Sequence, residues 1–321
     1  MNYLIVGGTG SLGKVLIGHL LKDNHDISVM SRDESKHVNI KKMYPTVHSY
    51  IGDIRDRDAL INCILRVQPD VIINAAALKN VPEVEEVPME GVKTNLLGTD
   101  NLIHAARHYS LFIDKPLKVL SISTDKATSP VNAYGMAKAL QERVHLRANS
   151  SELICNAVRY GNVLESRGSL IPIIKERFRN DQPVYLTHPE MTRFFLTLDE
   201  SVALIKRALL DNQGGQLFIP IIRSAKIADI LEIFCEVFKK DKSFIQSTSI
   251  RPGEKLHESL ISIEETRRTR KSDEVFIIDD ILSVIKYNDI TKEYTSNDPD
   301  VLMNKEELRN FLEKNGIFND I

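Results

Sequence analysis

Asn2-Tyr3-Leu4-Ile5-Val6-Gly7-Gly8-Thr9-Gly10-Ser11-Leu12-Gly13 opens the chain, and how it is read decides the fold. Residues 2–6 are a short apolar run that predicts a buried strand. The glycines behind it suit a tight turn, a close approach of backbone to a pyrophosphate, and close packing of a helix on the strand. Val15, Leu16, Leu20 and Leu21 then recur at helical spacing. Strand, glycine-rich turn and helix in that order predict a dinucleotide site, with Gly7, Thr9, Gly10, Ser11, Leu12 and Gly13 as its phosphate-facing loop.

Working outward, apolar runs at 26–30, 47–51, 71–74, 117–122 and 153–158 predict further strands, each separated from the next by a helical pattern. That alternation is the signature of an α/β fold with a doubly wound, Rossmann-type parallel sheet. Beyond residue 165 it fades. Helices expected at 170–179, 199–210 and 227–238 are separated by polar and basic islands. The chain is therefore expected to divide into residues 1–165, holding cofactor and catalytic groups, and residues 166–321, mostly a smaller substrate-binding lobe and a tail.

Composition narrows the function classes. The chain has 321 residues, 42% hydrophobic and 27% charged, with a net charge of −2. No global field points to nucleic acid or to an acidic membrane, so any bound anion has to be held locally. Cys63, Cys155 and Cys235 are widely separated, without a Cys-x-x-Cys spacing or a nearby histidine cluster, so reduced thiols are expected and no metal site is. No apolar run approaches the roughly 20 residues of a membrane helix. The chain opens on a strand without a charged leader, and a cytoplasmic protein is expected.

Several positions extend the dinucleotide site. The second strand ends in Ser31-Arg32-Asp33, where NAD-binding proteins of this architecture hold the ribose with an acid. A hydroxyl and a guanidinium suit a 2′-phosphate, which favours NADP over NAD. Asp53, with Ile54 beside it, is placed to accept from an adenine amino group, while Asp56 suits a helix cap. The small side chains of Ala75, Ala76 and Ala77 let a cofactor lie against backbone, with Lys79 at the end of that run. Asn95, inside a helix expected at 90–109, is either a buried polar prop or a solvated residue.

The chemistry is expected in Ser123-Thr124-Asp125-Lys126-Ala127-Thr128-Ser129-Pro130-Val131-Asn132-Ala133-Tyr134-Gly135-Met136-Ala137-Lys138. Tyr134 and Lys138 are four apart and share a helix face. An ammonium near a phenol favours the phenolate, and such a pair suits alcohol oxidation, with Thr124 donating to the same substrate oxygen. Arg167, Arg193 and Arg251 sit in the later basic islands and are candidates for a diphosphate.

Taken together, the glycine loop, Tyr134-x-x-x-Lys138 and the strand-helix alternation resemble the extended short-chain dehydrogenase/reductase superfamily. Ser31-Arg32-Asp33-Glu34, Gly52-Asp53-Ile54-Arg55-Asp56, Ala75-Ala76-Ala77-Leu78-Lys79, Ser123-Thr124-Asp125-Lys126-Ala127, Arg159-Tyr160-Gly161-Asn162-Val163, Met191-Thr192-Arg193-Phe194 and Arg251-Pro252-Gly253-Glu254-Lys255-Leu256-His257-Glu258 are similar to the inverting UDP-N-acetylglucosamine 4,6-dehydratases. Asp125-Lys126 separates that subgroup from retaining dehydratases, which carry Asp-Glu there.

The resemblance implies roles. Tyr134 takes the C4 hydroxyl proton as hydride leaves C4; Lys126 removes H5 from the resulting ketone; Asp125 helps expel the C6 hydroxyl as water; hydride returns to C6 and a proton to C5 from the opposite face. A lysine base has to be neutral, and burial, Lys138 and the nicotinamide are expected to lower its pKa. Asn162 and Arg193 would hold the diphosphate, Arg251 a phosphate and Glu254 the uridine ribose, with Lys79 and Arg167 also facing the substrate. Relatives are dimers or hexamers, so a homo-oligomer is implied. The competing readings are an enzyme performing only 5,6-ene formation or C5 epimerisation, a UDP-hexose 4-epimerase, and a non-catalytic NADP-binding sensor.

Overall fold

The first strand, β1 (Asn2–Val6), is buried along its whole length after Asn2. In this computed structural model, which describes residues 1–283, 287 and 289–321, it lies third from one edge of a wide sheet. The other strands up to residue 160 are β2 (Asp26–Ser31), β3 (His48–Ile51), β4 (Val71–Asn74), β5 (Leu117–Thr124) and β6 (Leu153–Tyr160). Those that follow are β7 (Asn162–Val163), β8 (Val184–Leu186), β9 (Thr192–Leu196), β10 (Leu217–Pro220), β11 (Ser224–Lys226), β12 (Ile245–Ser247), β13 (Ser259–Ile261), β14 (Thr269–Ser272), β15 (Val275–Ile278) and β16 (Tyr294–Thr295).

Nine strands form one sheet in the order β14-β15-β10-β6-β5-β4-β1-β2-β3. From β3 to β10 all neighbours are parallel; β15 and β14 add an antiparallel edge. The chain walks from β1 out to β3, then returns to β4 on the other side of β1. That reversal opens a crevice at the carboxyl ends of β1 and β4, where folds of this kind bind ligands.

The crossovers are α1 (Ser11–Lys22), α2 (Glu34–Met43), α3 (Arg57–Val67), the run α4 (Val81–Glu86), α5 (Pro88–Gly91) and α6 (Gly98–Ser110), and then α7 (Ala133–Arg147). The later helices are α8 (Leu170–Arg179), α9 (Leu198–Leu209), α10 (Ile227–Val237), α11 (Ile263–Thr266) and α12 (Lys305–Lys314). Leu16, Ile17 and Leu20 of α1 pack with Val202, Leu204 and Ile205 of α9 on one face of the sheet. Leu60 and Ile64 of α3 pack with Leu102 and Ile103 of α6 on the other. Apolar area removed from water on both faces explains why the central strands are continuously hydrophobic. Asp56 caps α3 by accepting from the Ala59 amide at 3.0 Å, as its position predicts.

The boundary expected at residue 165 is crossed by the sheet. Strands β10, β14 and β15 come from the second half yet complete the sheet of the first. The remaining later elements build a separate core in which Phe178, Phe195, Ile230, Phe234, Leu308 and Leu312 meet. The tail helix α12, which has no chemical reading in the sequence, is part of that core.

Candidate active site

Gly7 has a positive φ of 82°, and a Cβ there would come within 2.5 Å of the Ala76 amide nitrogen. Only glycine lets the loop lie this close to the Ala75–Ala77 run. A Cβ on Gly10 would meet nothing nearer than the Gly7 carbonyl oxygen at 3.6 Å, on the open side of the loop. Gly10 also stands at the N-cap of α1 without a side-chain cap, which leaves the first amides of that helix for an anion. The arrangement fits the pyrophosphate of a dinucleotide.

Around the loop, Ser31 Oγ lies 3.0 Å from both Thr9 Oγ1 and His37 Nε2. Arg32 is exposed and reaches Asp53 at 3.5 Å. Asp33 accepts from the Lys36 amide at 3.1 Å and caps α2, with Lys36 Nζ 2.8 Å from its other oxygen. The carboxylate of Asp53 is taken up by Arg55, whose Nε and Nη2 approach at 2.9 and 2.7 Å and whose amide reaches the other oxygen at 2.9 Å. Asp53 therefore does not present the free acceptor that its position suggests. Ile54 is buried against Met30 and Leu60 in the core beneath α3 and α6.

Asn95 is fully buried. Its Oδ1 accepts from the Leu78 amide at 2.8 Å and its Nδ2 donates to the Leu78 carbonyl at 2.9 Å. The prop reading holds, and with both groups committed to Leu78 the side chain is a clamp on the Ala75–Lys79 run rather than a cofactor contact. It projects from a π-helical turn, Val92–Leu97, that interrupts the single helix expected here. Lys79 Nζ donates to the Arg167 carbonyl at 2.8 Å, and the Arg167 amide donates to Ser11 Oγ at 3.0 Å. Arg167 thus joins the glycine loop to Lys79 through its backbone, leaving its exposed guanidinium uninvolved.

Thr124 ends β5, two residues beyond the expected end of that strand, and Asp125–Ala127 make a 3-10 turn. Asp125 is fully buried; its Oδ1 accepts from Thr124 Oγ1 and from Lys126 Nζ, each at 3.0 Å. Lys126 Nζ also lies 3.4 Å from Glu258 Oε1. Glu258 is buried, and it faces Lys255 at 3.7 Å and Arg193 at 3.9 Å. One oxygen of each acid, Asp125 Oδ2 and Glu258 Oε2, is buried without a hydrogen-bond partner among the described residues. Glu258 is the site residue that sequence reasoning passed over. Its only signal was its place at the end of the charged Arg251–Glu258 island.

The electrostatics differ from expectation at two lysines. Burial pulls the Lys126 pKa down and Arg193 adds to that, but the Asp125 and Glu258 carboxylates outweigh both and hold it above the ordinary lysine range. Lys138 Nζ donates to the Ile122 carbonyl at 2.6 Å, and burial brings it down to about 8 against the pull of Glu142. Tyr134 is pushed up to about 12 by burial, with Lys126 and the Thr124 hydroxyl opposing. The ammonium acting on the phenol is that of Lys126, not that of Lys138.

Arg193 is buried, with its guanidinium donating to the carbonyls of Thr192, Lys255 and Leu256 at 2.7, 2.9 and 3.2 Å. It anchors the 251–258 segment and has little left to offer a diphosphate. Arg251 is exposed, and its amide donates to Glu254 Oε2 at 3.2 Å. Asn132 caps α7 through the Gly135 amide at 2.7 Å and donates to the Gly253 carbonyl at 2.8 Å. Gly253 has φ of 73°, and a Cβ there would stand 2.9 Å from that of Asn132. This pairing docks the Arg-Pro-Gly-Glu turn on the start of the Tyr134 helix. Asn162 lies half-buried on β7, beside Phe195 of β9.

Behind these groups Arg159 donates to Glu142 at 2.6 and 3.0 Å and to Glu265 through two 2.9 Å bonds. This buried cluster ties α7 and β6 to the segment after β13. The three cysteines are buried and free, and burial pushes Cys63 and Cys155 up to about 12. No group of metal-ligating side chains and no helix long and apolar enough to cross a membrane occurs among the described residues.

Residues 3–280 match the family described as polysaccharide biosynthesis protein. The chain is 40% identical over 292 residues to an uncharacterized membrane protein of Methanocaldococcus jannaschii, covering 86% of this chain and 84% of the relative. A UDP-glucose 4-epimerase of Rickettsia felis is 36% identical, with 82% and 78% covered. Among solved structures, Pen from Bacillus thuringiensis superimposes with a TM-score of 0.89 at 31% identity, covering 98% of both chains.

Proposed function

From a chain that belongs to the polysaccharide biosynthesis protein family, within the short-chain dehydrogenase/reductase superfamily, we propose a UDP-N-acetylglucosamine 4,6-dehydratase that inverts C5. The observation that carries this reading is the pairing of buried Asp125 with half-buried Lys126, joined by a 3.0 Å hydrogen bond beside Tyr134. A simple alcohol oxidation or a 4-epimerisation needs a phenol and a hydroxyl. It has no use for a second acid and base in contact.

Gly7, Thr9, Gly10, Ser11, Leu12, Gly13 and Ala75–Ala77 would hold NADP, with Ser31 and Arg32 toward its 2′-phosphate. The occupation of Asp33 in capping α2 supports NADP over NAD. Bound NADP would supply a reversible hydride acceptor, taking hydride from C4 and returning it to C6. Tyr134 enters the step as the phenolate and takes the C4 hydroxyl proton. Thr124, whose hydroxyl is on Asp125 Oδ1 in the ion-paired state, donates to the same substrate oxygen once Asp125 is protonated, and the C4 ketone acidifies H5. Lys126 accepts H5 while Asp125 gives a proton to the departing C6 hydroxyl, which leaves as water. Lys126 then returns a proton to C5 on the other face, giving UDP-2-acetamido-2,6-dideoxy-β-L-arabino-hex-4-ulose. Arg251 and Asn162 would meet the diphosphate and Glu254 the uridine ribose.

The acid and base forms needed are a protonated Asp125 and a neutral Lys126. They differ from the ion pair by one proton moved across the hydrogen bond. Exclusion of water by substrate favours the neutral pair, since a dry site penalises separated charges. Glu258 remains as the fixed counter-charge to Arg193 and Lys255.

Exposed Val87, Met89 and Leu97 on α4–α6, with Met136 and Leu140 on α7, support a homo-oligomer, a dimer or hexamer. Three buried, free thiols suit a reducing cytoplasm, where such an enzyme would feed surface glycan or nonulosonate sugar synthesis. Incubation with NADP and UDP-N-acetylglucosamine in deuterated water, followed by NMR, tests the reading: a 4-keto-6-deoxy product with deuterium at C5 is expected. The name of the Rickettsia relatives favours a second reading, a UDP-hexose 4-epimerase. Inversion at C4 with no deuterium at C5 would establish it.

A further inference from the structure

A cavity of about 600 Å³ lies next to the catalytic turn, lined by Ala127–Pro130, by Glu142 and Arg143 of α7, by Arg159 of β6, and by Arg267 and Arg268 after α11. Lys126, Tyr134, Lys138, the glycine loop and the 251–258 segment do not line it. It is separate from the candidate active site.

The charges around it are not balanced pair by pair. Glu142 and Glu265 are spent on Arg159, each through two hydrogen bonds. Arg268 gives one donor to the Asp279 carbonyl and, among the described residues, otherwise forms one ion pair, with Glu265 at 3.8 Å. Arg143 and Arg267 have no side-chain hydrogen bond and no ion pair among the described residues, and Glu264 on the rim pairs with neither. Burial, with the like charges of Arg143 and Arg159, pulls the Arg268 pKa down against Glu265 and Asp280. Thr128, which also lines the cavity, is 2% exposed and its Oγ1 has no partner among the described residues. Unrelieved guanidiniums and a spare buried hydroxyl converge on one space.

We propose that this cavity binds a small phosphorylated molecule, its phosphate held by Arg143, Arg267 and Arg268. Guanidinium forks match phosphate oxygens, and a phosphate carries about −1.5 to −2 charges, enough to relieve the arginine cluster. The volume falls within the roughly 300–1,000 Å³ of small-molecule sites. A nucleotide-sized ligand therefore fits as well as a simple phosphate ester.

Isothermal titration of the full-length protein with inorganic pyrophosphate tests this, in parallel with Arg143→Glu and Arg267→Glu. The expected result is saturable binding to the wild type, weakened roughly tenfold or more in each variant, as loss of a charge-assisted bond implies. Unchanged thermal melting of Arg267→Glu, whose side chain is exposed, shows that the loss is local. Absence of binding to the wild type overturns the proposal. Binding that survives in both variants also overturns it, by placing the anion at the glycine loop or the diphosphate site.

Discussion

Lys126 Nζ stands between Asp125 Oδ1 at 3.0 Å and Glu258 Oε1 at 3.4 Å, so the candidate base is held by one acid next to it in the chain and one from a distant part of the sequence. Glu258 adds to the raised pKa of the lysine. Glu258→Gln is expected to lower that pKa while leaving Asp125 in place. The pH midpoint for acylation of Lys126, followed by mass spectrometry, should fall in the variant. An unmoved midpoint would assign the shift to Asp125 alone.

Removing the base separates its role from cofactor binding. Lys126→Ala is expected to keep NADP affinity, because the glycine loop and the Ala75–Ala77 run lie apart from it. Dehydration should fall by about 10²–10⁴, the usual range for a lost general base. Fluorescence titration with NADPH and product NMR measure the two separately. Normal turnover with deuterium still entering C5 would remove Lys126 from the mechanism.

Arg159 joins two carboxylates whose one other ion pair among the described residues is Glu265 with Arg268 at 3.8 Å. Arg159→Met leaves Glu142 without an ion-pair partner among the described residues and Glu265 with only the long contact to Arg268, at a cost of about 3–5 kcal/mol. Urea unfolding at neutral pH should show that loss. Adding Glu142→Gln and Glu265→Gln should recover part of it, because the unpaired charges are then gone.

His145 is fully buried, with Nε2 donating to the Val119 and Asn156 carbonyls at 3.1 and 2.9 Å, and burial brings its pKa down to about 4. The unfolded ring titrates near 6.5. Below that pH the unfolded chain binds a proton that the folded chain refuses, so stability falls as pH drops from about 6.5 to about 4. The loss across that window is on the order of 3 kcal/mol. His145→Gln, compared with wild type by urea unfolding at pH 7 and pH 5, should show a smaller decrease. Equal decreases would mean that carboxylates elsewhere account for the whole effect.

Local periodicity and glycine placement were enough to read the sheet as far as β6, the glycine loop, the cap at Asp56 and the turn from β5 into α7. Those features depend on residues near one another in sequence. Strands β10, β14 and β15 escaped the sequence reading because they are too short to stand out from loop sequence, and they become sheet only by pairing in turn, β10 on β6, β15 on β10 and β14 on β15. Asn95 read equally well as a prop or a solvated residue until the π-helical turn aimed it at Leu78.

The sequence by itself determined which chemical groups this protein owns: a glycine-rich loop, a hydroxyl-phenol pair, and an acid and a lysine side by side. Tertiary structure decided their charge states. Lys138 was set on the Ile122 carbonyl, Arg193 was turned to brace backbone, and Glu258 was brought to Lys126 across the fold. A pKa depends on burial and on charges a few ångströms away, and those distances are set by the packing of remote segments, which neighbouring residues in the chain do not specify.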